Sequence, residues 1–152
     1  MLLLTMTIGA EIYGLDAQQV IEVIPLVVLK QVPRVDAAIS GIFNYRGTPV
    51  PVIDLCVFLN QKKCRNNLGS RIIITQLKMP DQSLKTVGLL AEHVTEVIKC
   101  NASEFTRSGI NAANAEFLQN VYQHQNGLIQ IIDVPKVIPD SISRQLTTQA
   151  FT

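Results

Sequence analysis

Apolar residues recur along this chain in short runs separated by polar turns, and the runs come in the same order twice. Residues 3–8 and 72–77 are apolar stretches, each predicted to be a strand that enters a unit. Downstream, residues 13–24 (YGLDAQQVIEVI) align with residues 87–98 (VGLLAEHVTEVI), and seven of twelve positions are identical. A further ungapped block pairs residues 39–59 with residues 118–138; identities are few, but the apolar pattern and the Asp54/Asp133 pair coincide. The second spacing exceeds the first by five residues, which places a longer polar loop, NASEFTRSGINAANAE, in the second copy.

Local patterns assign elements within each copy. Val20, Val23 and Ile24 stand at i, i+3 and i+4, and Val94, Val97 and Ile98 repeat the spacing, which predicts a short helix with one buried face in each copy. Asn126-Gly127 is a hairpin signal, Arg46-Gly47 occupies the neighbouring place in the first copy, and Gly41/Asn120 is a second such pair. Asp54 and Asp133 each end a strand before an apolar turn and are expected to cap it, with Pro135 in the first turn of the second. The architecture that follows is one domain over residues 1–152, mainly β: a first unit at about 1–59, a polar linker at about 60–70, a second unit at about 71–138 and a tail at 139–152. Two small closed or nearly closed β units packed on one another would remove exposed edges from strands this apolar. The tail is expected to form a short helix capped by Ser141 or Ser143.

Composition changes the picture in one respect. Apolar residues make up 47% of the chain, charged residues 16%, and mean hydropathy is +0.25, so part of the apolar surplus is expected to face a partner. Thirteen Lys and Arg against twelve Asp and Glu, with no basic run longer than Lys62-Lys63, argue against nucleic acid or an anionic membrane as partner. The apolar stretches at 1–10 and 20–29 are too short to span a bilayer, and no basic residue precedes Leu2 as a secretory leader would require.

Candidate chemistry is sparse. Cys56, Cys64 and Cys100 form no C-x-x-C and leave an odd thiol, as expected of a reducing compartment. His93 and His124 lack partners at ligand spacing, so no metal is expected, and the glycines form no phosphate loop, so no cofactor is expected. A catalytic role is therefore not expected; the one enzymatic alternative is a small thiol enzyme using Cys56 or Cys100 with His93.

The informative difference between the copies lies at the hairpin tip, where Asn44-Tyr45-Arg46-Gly47 faces Gln123-His124-Gln125-Asn126. Arginine is a poor turn residue, so Arg46 points to a requirement other than turning. These residues also carry a resemblance. Tyr13-Gly14-Leu15-Asp16, Val20-Ile21-Glu22-Val23, residues 41–47 (GIFNYRG) and residues 50–55 (VPVIDL) closely resemble the pattern of the CheW family of bacterial chemotaxis adaptors, and the match resumes in the second copy. The resemblance implies two five-stranded β-barrel subdomains around a shared apolar core, no enzymatic activity, no cofactor and a cytoplasmic location. It further implies two partners: the tip of a methyl-accepting chemoreceptor, bound in a groove between subdomains, and the regulatory domain of a CheA-type histidine kinase, bound end to end. Carried over by position, Val20, Glu22, Val23, Asn44, Arg46 and Gly47 lie near those contacts, with Glu22 and Arg46 as a pair. A CheW-like input module of a CheV-type or surface-sensing (pilus) pathway is the neighbouring alternative. The chain departs from the pattern at Cys56, where arginine is common, and at Asn120, where glycine is frequent.

Overall fold

A computed structural model describes residues 1–79, 81–110, 120–125, 127–138 and 140–146. The first copy supplies β1 (Leu2–Ile8), β2 (Glu11–Asp16), β3 (Val20–Pro25), β4 (Ile39–Tyr45), β5 (Thr48–Asp54) and α1 (Leu55–Asn60). The second repeats the series as β6 (Arg71–Lys78), β7 (Leu84–Ala91), β8 (Val94–Lys99), β10 (Asn120–His124), β11 (Gly127–Ile132) and α2 (Val134–Val137). Its longer loop adds the two-residue β9 (Thr106–Arg107), and α3 (Asp140–Ser143) follows α2. The end of the expected tail helix, residues 147–152, and the turn residue Asn126 lie outside the described residues.

The helices expected at residues 20–24 and 94–98 are strands. Val20 to Pro25 alternate strictly between half-buried and exposed, a period of two that the inward Glu22 disguises in sequence. Five of those six residues are β-branched or proline, which favours the extended chain over a helix. A 3-10 turn does occur, but one step earlier, at Ala17–Gln19, where the Asp16 carboxylate accepts the Gln18 N–H at 3.0 Å. Gly41 marks no turn either. It sits at a register shift in β4, where an added Cβ would lie 2.6 Å from the Lys30 carbonyl oxygen, and Lys30 and Ile42 exchange backbone hydrogen bonds there.

The strands form two sheets, ordered β8-β1-β2-β11-β10-β9 and β3-β6-β7-β5-β4. Each sheet therefore draws on both copies. With the short β9 at the edge of the first sheet set aside, and strands numbered by rank within their own copy, each sheet reads third, first, second, fifth, fourth, with the first and second strands donated by one copy and the other three by its twin. The donated hairpin joins its host through one parallel seam: β2 beside β11 in one sheet, β7 beside β5 in the other. Neither sheet is hydrogen-bonded into a closed ring among the described residues. Beside the β4 edge of the second sheet, Lys30 in the loop after β3 forms an isolated bridge with Ile42, and the side chains of Tyr45 and Arg46 reach from the β4–β5 hairpin to Glu22 on β3.

Period-two alternation sorts the strand residues into three apolar clusters. Leu4, Met6, Leu15, Ile53, Ile73 and Leu89 meet in the large cluster shared by both sheets. Leu3, Ile98, Tyr122 and Ile129 fill a second beneath the first sheet, and Val52, Ile72, Ile74 and Leu90 a third beneath the other. Ile72, Ile73 and Ile74 thus serve two clusters in turn, which is why β1 and β6 read as unbroken apolar runs.

Candidate interaction surface

Glu22 comes from the edge strand β3 and points toward the β4–β5 hairpin. One carboxylate oxygen, Oε1, accepts the Tyr45 hydroxyl at 2.6 Å and the Arg46 guanidinium Nη2 at 2.8 Å. Arg46 also lies over the Tyr45 ring, 5.1 Å from its centroid, and Tyr45 meets Phe43 edge-on at 6.1 Å. The hydrogen bond to Glu22 holds the Tyr45 proton and raises its pKa above the ordinary 10.0.

The hairpin explains how Arg46 reaches that position. Tyr45 pairs with Thr48, leaving Arg46 and Gly47 as a two-residue turn with φ of 50° and 87°. Positive φ at both positions suits the right-handed twist of the flanking strands. Asn44 supports the turn by accepting the Gly47 N–H on Oδ1 at 2.8 Å. Glycine at 47 adopts its angle without strain, whereas Arg46 is a long side chain in a backbone region that side chains rarely occupy.

Of the six residues singled out from sequence, Glu22, Asn44, Arg46 and Gly47 form this one cluster. Val23 lies on the outer face of β3, 38% exposed, beside Ile21 at 48%. Val20 differs, because it is half-buried and packs against the shared core. Tyr45 and Ile21 were not singled out in sequence; the alternation of Phe43 and Tyr45 was the available signal for the former. The loop after β3 continues the apolar surface, with Val28 97% exposed. No described helix is long and apolar enough to cross a membrane.

The cysteines do not behave as the sequence suggested. Cys56 and Cys64 are joined in a disulfide, and Cys100 is the free thiol, buried, with its pKa pushed above the ordinary value by that burial. Neither Cys56 nor Cys100 is presented as an exposed free thiol, since Cys56 is bonded to Cys64 and Cys100 is buried. Asp54, Cys56 and Cys64 bring their ligand atoms within 4.8 Å of one another. Those donors are already committed, the sulfurs to each other and the two Asp54 oxygens to the N–H groups of Cys56 at 2.8 Å and Cys64 at 2.9 Å. Asp54 thus caps α1 as expected, while Asp133 stands at the corresponding place with no side-chain cap and instead faces Lys136 at 3.8 Å.

Comparison with known proteins bears on the chain as a whole. Residues 2–141 match the family model of the CheW-like domain. The chain is 23% identical over 139 residues to the chemotaxis protein CheW of Treponema pallidum, covering 89% of this chain and 80% of that protein. It is 28% identical over 116 residues to chemotaxis protein CheW of Bacillus subtilis, covering 75% and 71%. The crystal structure of the scaffolding protein TtCheW from Thermoanaerobacter tengcongensis superposes with a TM-score of 0.79 at 27% identity, covering 93% of this chain and 89% of that one. The chain belongs to the CheW-like domain family, a family of chemotaxis scaffolds rather than enzymes.

Proposed function

We propose that this chain is a cytoplasmic adaptor that couples a chemoreceptor tip to the regulatory domain of a CheA-type histidine kinase. The outer face of β3 and the β4–β5 hairpin form one of its contact surfaces. The observation that carries this reading is Arg46. A residue held at φ 50° on a tight turn, aimed at the carboxylate of an edge strand flanked by exposed Ile21 and Val23, is costly to local structure and suited to binding. Arginine beside an aromatic ring and exposed aliphatic side chains is the composition found at the centre of protein interfaces. Val20, from within the same strand, supports that face from the core side.

The test is capture of the kinase regulatory domain and of receptor tips by Arg46→Ala and Val23→Asp variants whose folding is verified. Val23 serves better than Val20, since a carboxylate at the half-buried Val20 would disturb the core. Loss of capture of at least one partner is expected. Capture of both partners at unchanged strength by both variants would remove this surface from the interface.

A further inference from the structure

We propose that Cys56 and Cys64 form a reversible thiol–disulfide site, reduced by attack of a dithiol on Cys64, whose state sets how firmly the segment at residues 61–70 is held. The chemistry belongs to this chain's own sulfurs and does not depend on the adaptor reading.

Three features distinguish the pair from a static staple. The sulfurs are unequal: Cys56 is 1% exposed in the first turn of α1, whereas Cys64 is partly exposed. Cys64, and not Cys56, lines an open cavity of about 460 Å³ walled by Leu26, Leu29, Lys63 and Leu90. A reductant entering that cavity therefore meets Cys64 and not Cys56. Next, the backbone positions of both cysteines are fixed without the S–S bond, because Asp54 accepts the Cys56 N–H on one oxygen and the Cys64 N–H on the other. Reduction leaves the sulfurs adjacent, so closure stays intramolecular and readily regained. Finally, the reduced form has its own hydrogen bond. The Leu90 carbonyl oxygen lies 3.5 Å from Cys64 Sγ, a sulfur that can donate once it carries a proton.

In the reaction, a thiolate of the reductant bonds to Cys64 Sγ, and the Cys56–Cys64 bond breaks with its electron pair passing to Cys56, which takes up a proton. The reductant's second thiolate then attacks its own sulfur of the mixed disulfide and releases Cys64 as a thiolate, which is protonated in turn. Two electrons and two protons reach the protein and the reductant leaves as its disulfide. Glutathione carries one thiol, so with it a second molecule supplies the second thiolate. Oxidation by one glutathione disulfide runs the steps backward through a glutathione adduct on Cys64 and releases two glutathione thiols. Reduction opens the covalent loop from α1 to Cys64, leaving residues 61–70 held by the Asp54 contact, by the Arg65 N–H on Glu92 at 2.5 Å and by the hydrogen bonds of Ser70. Lys62, Lys63 and Arg65 within that segment are exposed.

The experiment equilibrates the full chain in glutathione buffers from reducing to oxidising, quenches with acid, alkylates the thiols and locates them by mass spectrometry. Cys56 and Cys64 are expected to titrate together in one two-electron transition while Cys100 stays a thiol. With glutathione disulfide, Cys56→Ser should trap glutathione on Cys64, and Cys64→Ser should leave Cys56 unmodified. Trypsin should cut after Lys62, Lys63 or Arg65 several-fold faster in reduced than in oxidised protein, with no redox dependence in a Cys56→Ala/Cys64→Ala variant. Thiols that persist at the oxidising end, a disulfide that persists at the reducing end, equal adducts on both cysteines, or cleavage indifferent to redox state would each overturn the proposal.

Discussion

Asp54 holds two backbone donors on one buried carboxylate, and each feature has a measurable consequence. Burial raises its pKa above the ordinary 3.8, against the lowering effect of the N–H groups of Cys64 and Cys56. A raised carboxylate binds its proton more tightly in the folded state, so its contribution to stability is full below the unfolded value and is lost as pH rises through the folded one. Asp54→Asn should abolish that downward slope just above the ordinary carboxylate range. At neutral pH the same change should cost about 1–3 kcal/mol, because one oxygen cannot serve both N–H groups and the amide nitrogen faces a donor. Denaturant titrations across pH measure both effects; an unchanged slope would mean that Asp54 ionises as freely folded as unfolded. Arg46 offers the opposite case. Its ion pair with Glu22 is exposed on the arginine side, 71% against 35%, and pairs of this kind contribute about 0.2–1 kcal/mol. Arg46→Asn creates Asn-Gly, the preferred pair for this turn, so stability should stay within about 1 kcal/mol of the parent while partner capture falls. A double-mutant cycle on Glu22 and Arg46 reads the pair directly. Coupling well above 1 kcal/mol would make Arg46 a structural residue first.

At the scale of elements, the repeated glycines mark the seams where one copy's hairpin enters the other copy's sheet. Gly14 pairs with Ile131 across β2–β11, and Gly88 with Val52 across β5–β7. A Cβ on Gly88 would lie 2.7 Å from Ile72 Cγ2 and 3.3 Å from Val52 Cγ2, both fully buried; on Gly14 the nearest atom is Ile129 Cγ2 at 3.0 Å. Gly88→Ala should therefore cost about 1–3 kcal/mol by overpacking, and Gly14→Ala less. Thermal unfolding of the two variants ranks them, and the reverse order would show that the second seam relaxes more easily than its packing implies. The repeat and its glycines were legible in sequence, as were the Asp54 cap and the clustering of Asn44, Arg46 and Gly47, because each rests on local spacing. β3 and β8 were not. Val20, Val23 and Ile24 satisfy helical spacing, and the alternation that decides the matter passes through Glu22, a polar residue on the inner face. The Cys56–Cys64 bond was hidden for another reason: an odd cysteine count gives no framework, and the approach depends on a left-handed Gln61 ending α1 and on Asp54 drawing the chain back.

Strand order was the least legible property, since nothing in a duplicated pattern says whether a copy pairs with itself or with its twin. Exchange ties the two copies into shared sheets, so the molecule should unfold as one cooperative unit. Strand β1 lies between β2 and β8, and β2 between β1 and β11, so the first copy's hairpin finds its outer neighbours in the second copy; β6 and β7 lie between β3 and β5 in the same way. The shared cluster likewise takes Leu4, Leu15 and Ile53 from one half and Ile73, Leu89 and Ile132 from the other. Division of the chain between residues 66 and 67 would leave each half with a donated hairpin lacking a host and three strands lacking their inner pair. Neither fragment should fold alone, whereas the intact chain should unfold in one transition with coincident backbone and side-chain signals. Mixing the fragments should restore native-like circular dichroism, because every lost pairing is then available between chains. Cooperative unfolding of either fragment by itself would show that a copy can pair with itself, and that the exchange is one of two accessible arrangements rather than the one its packing requires.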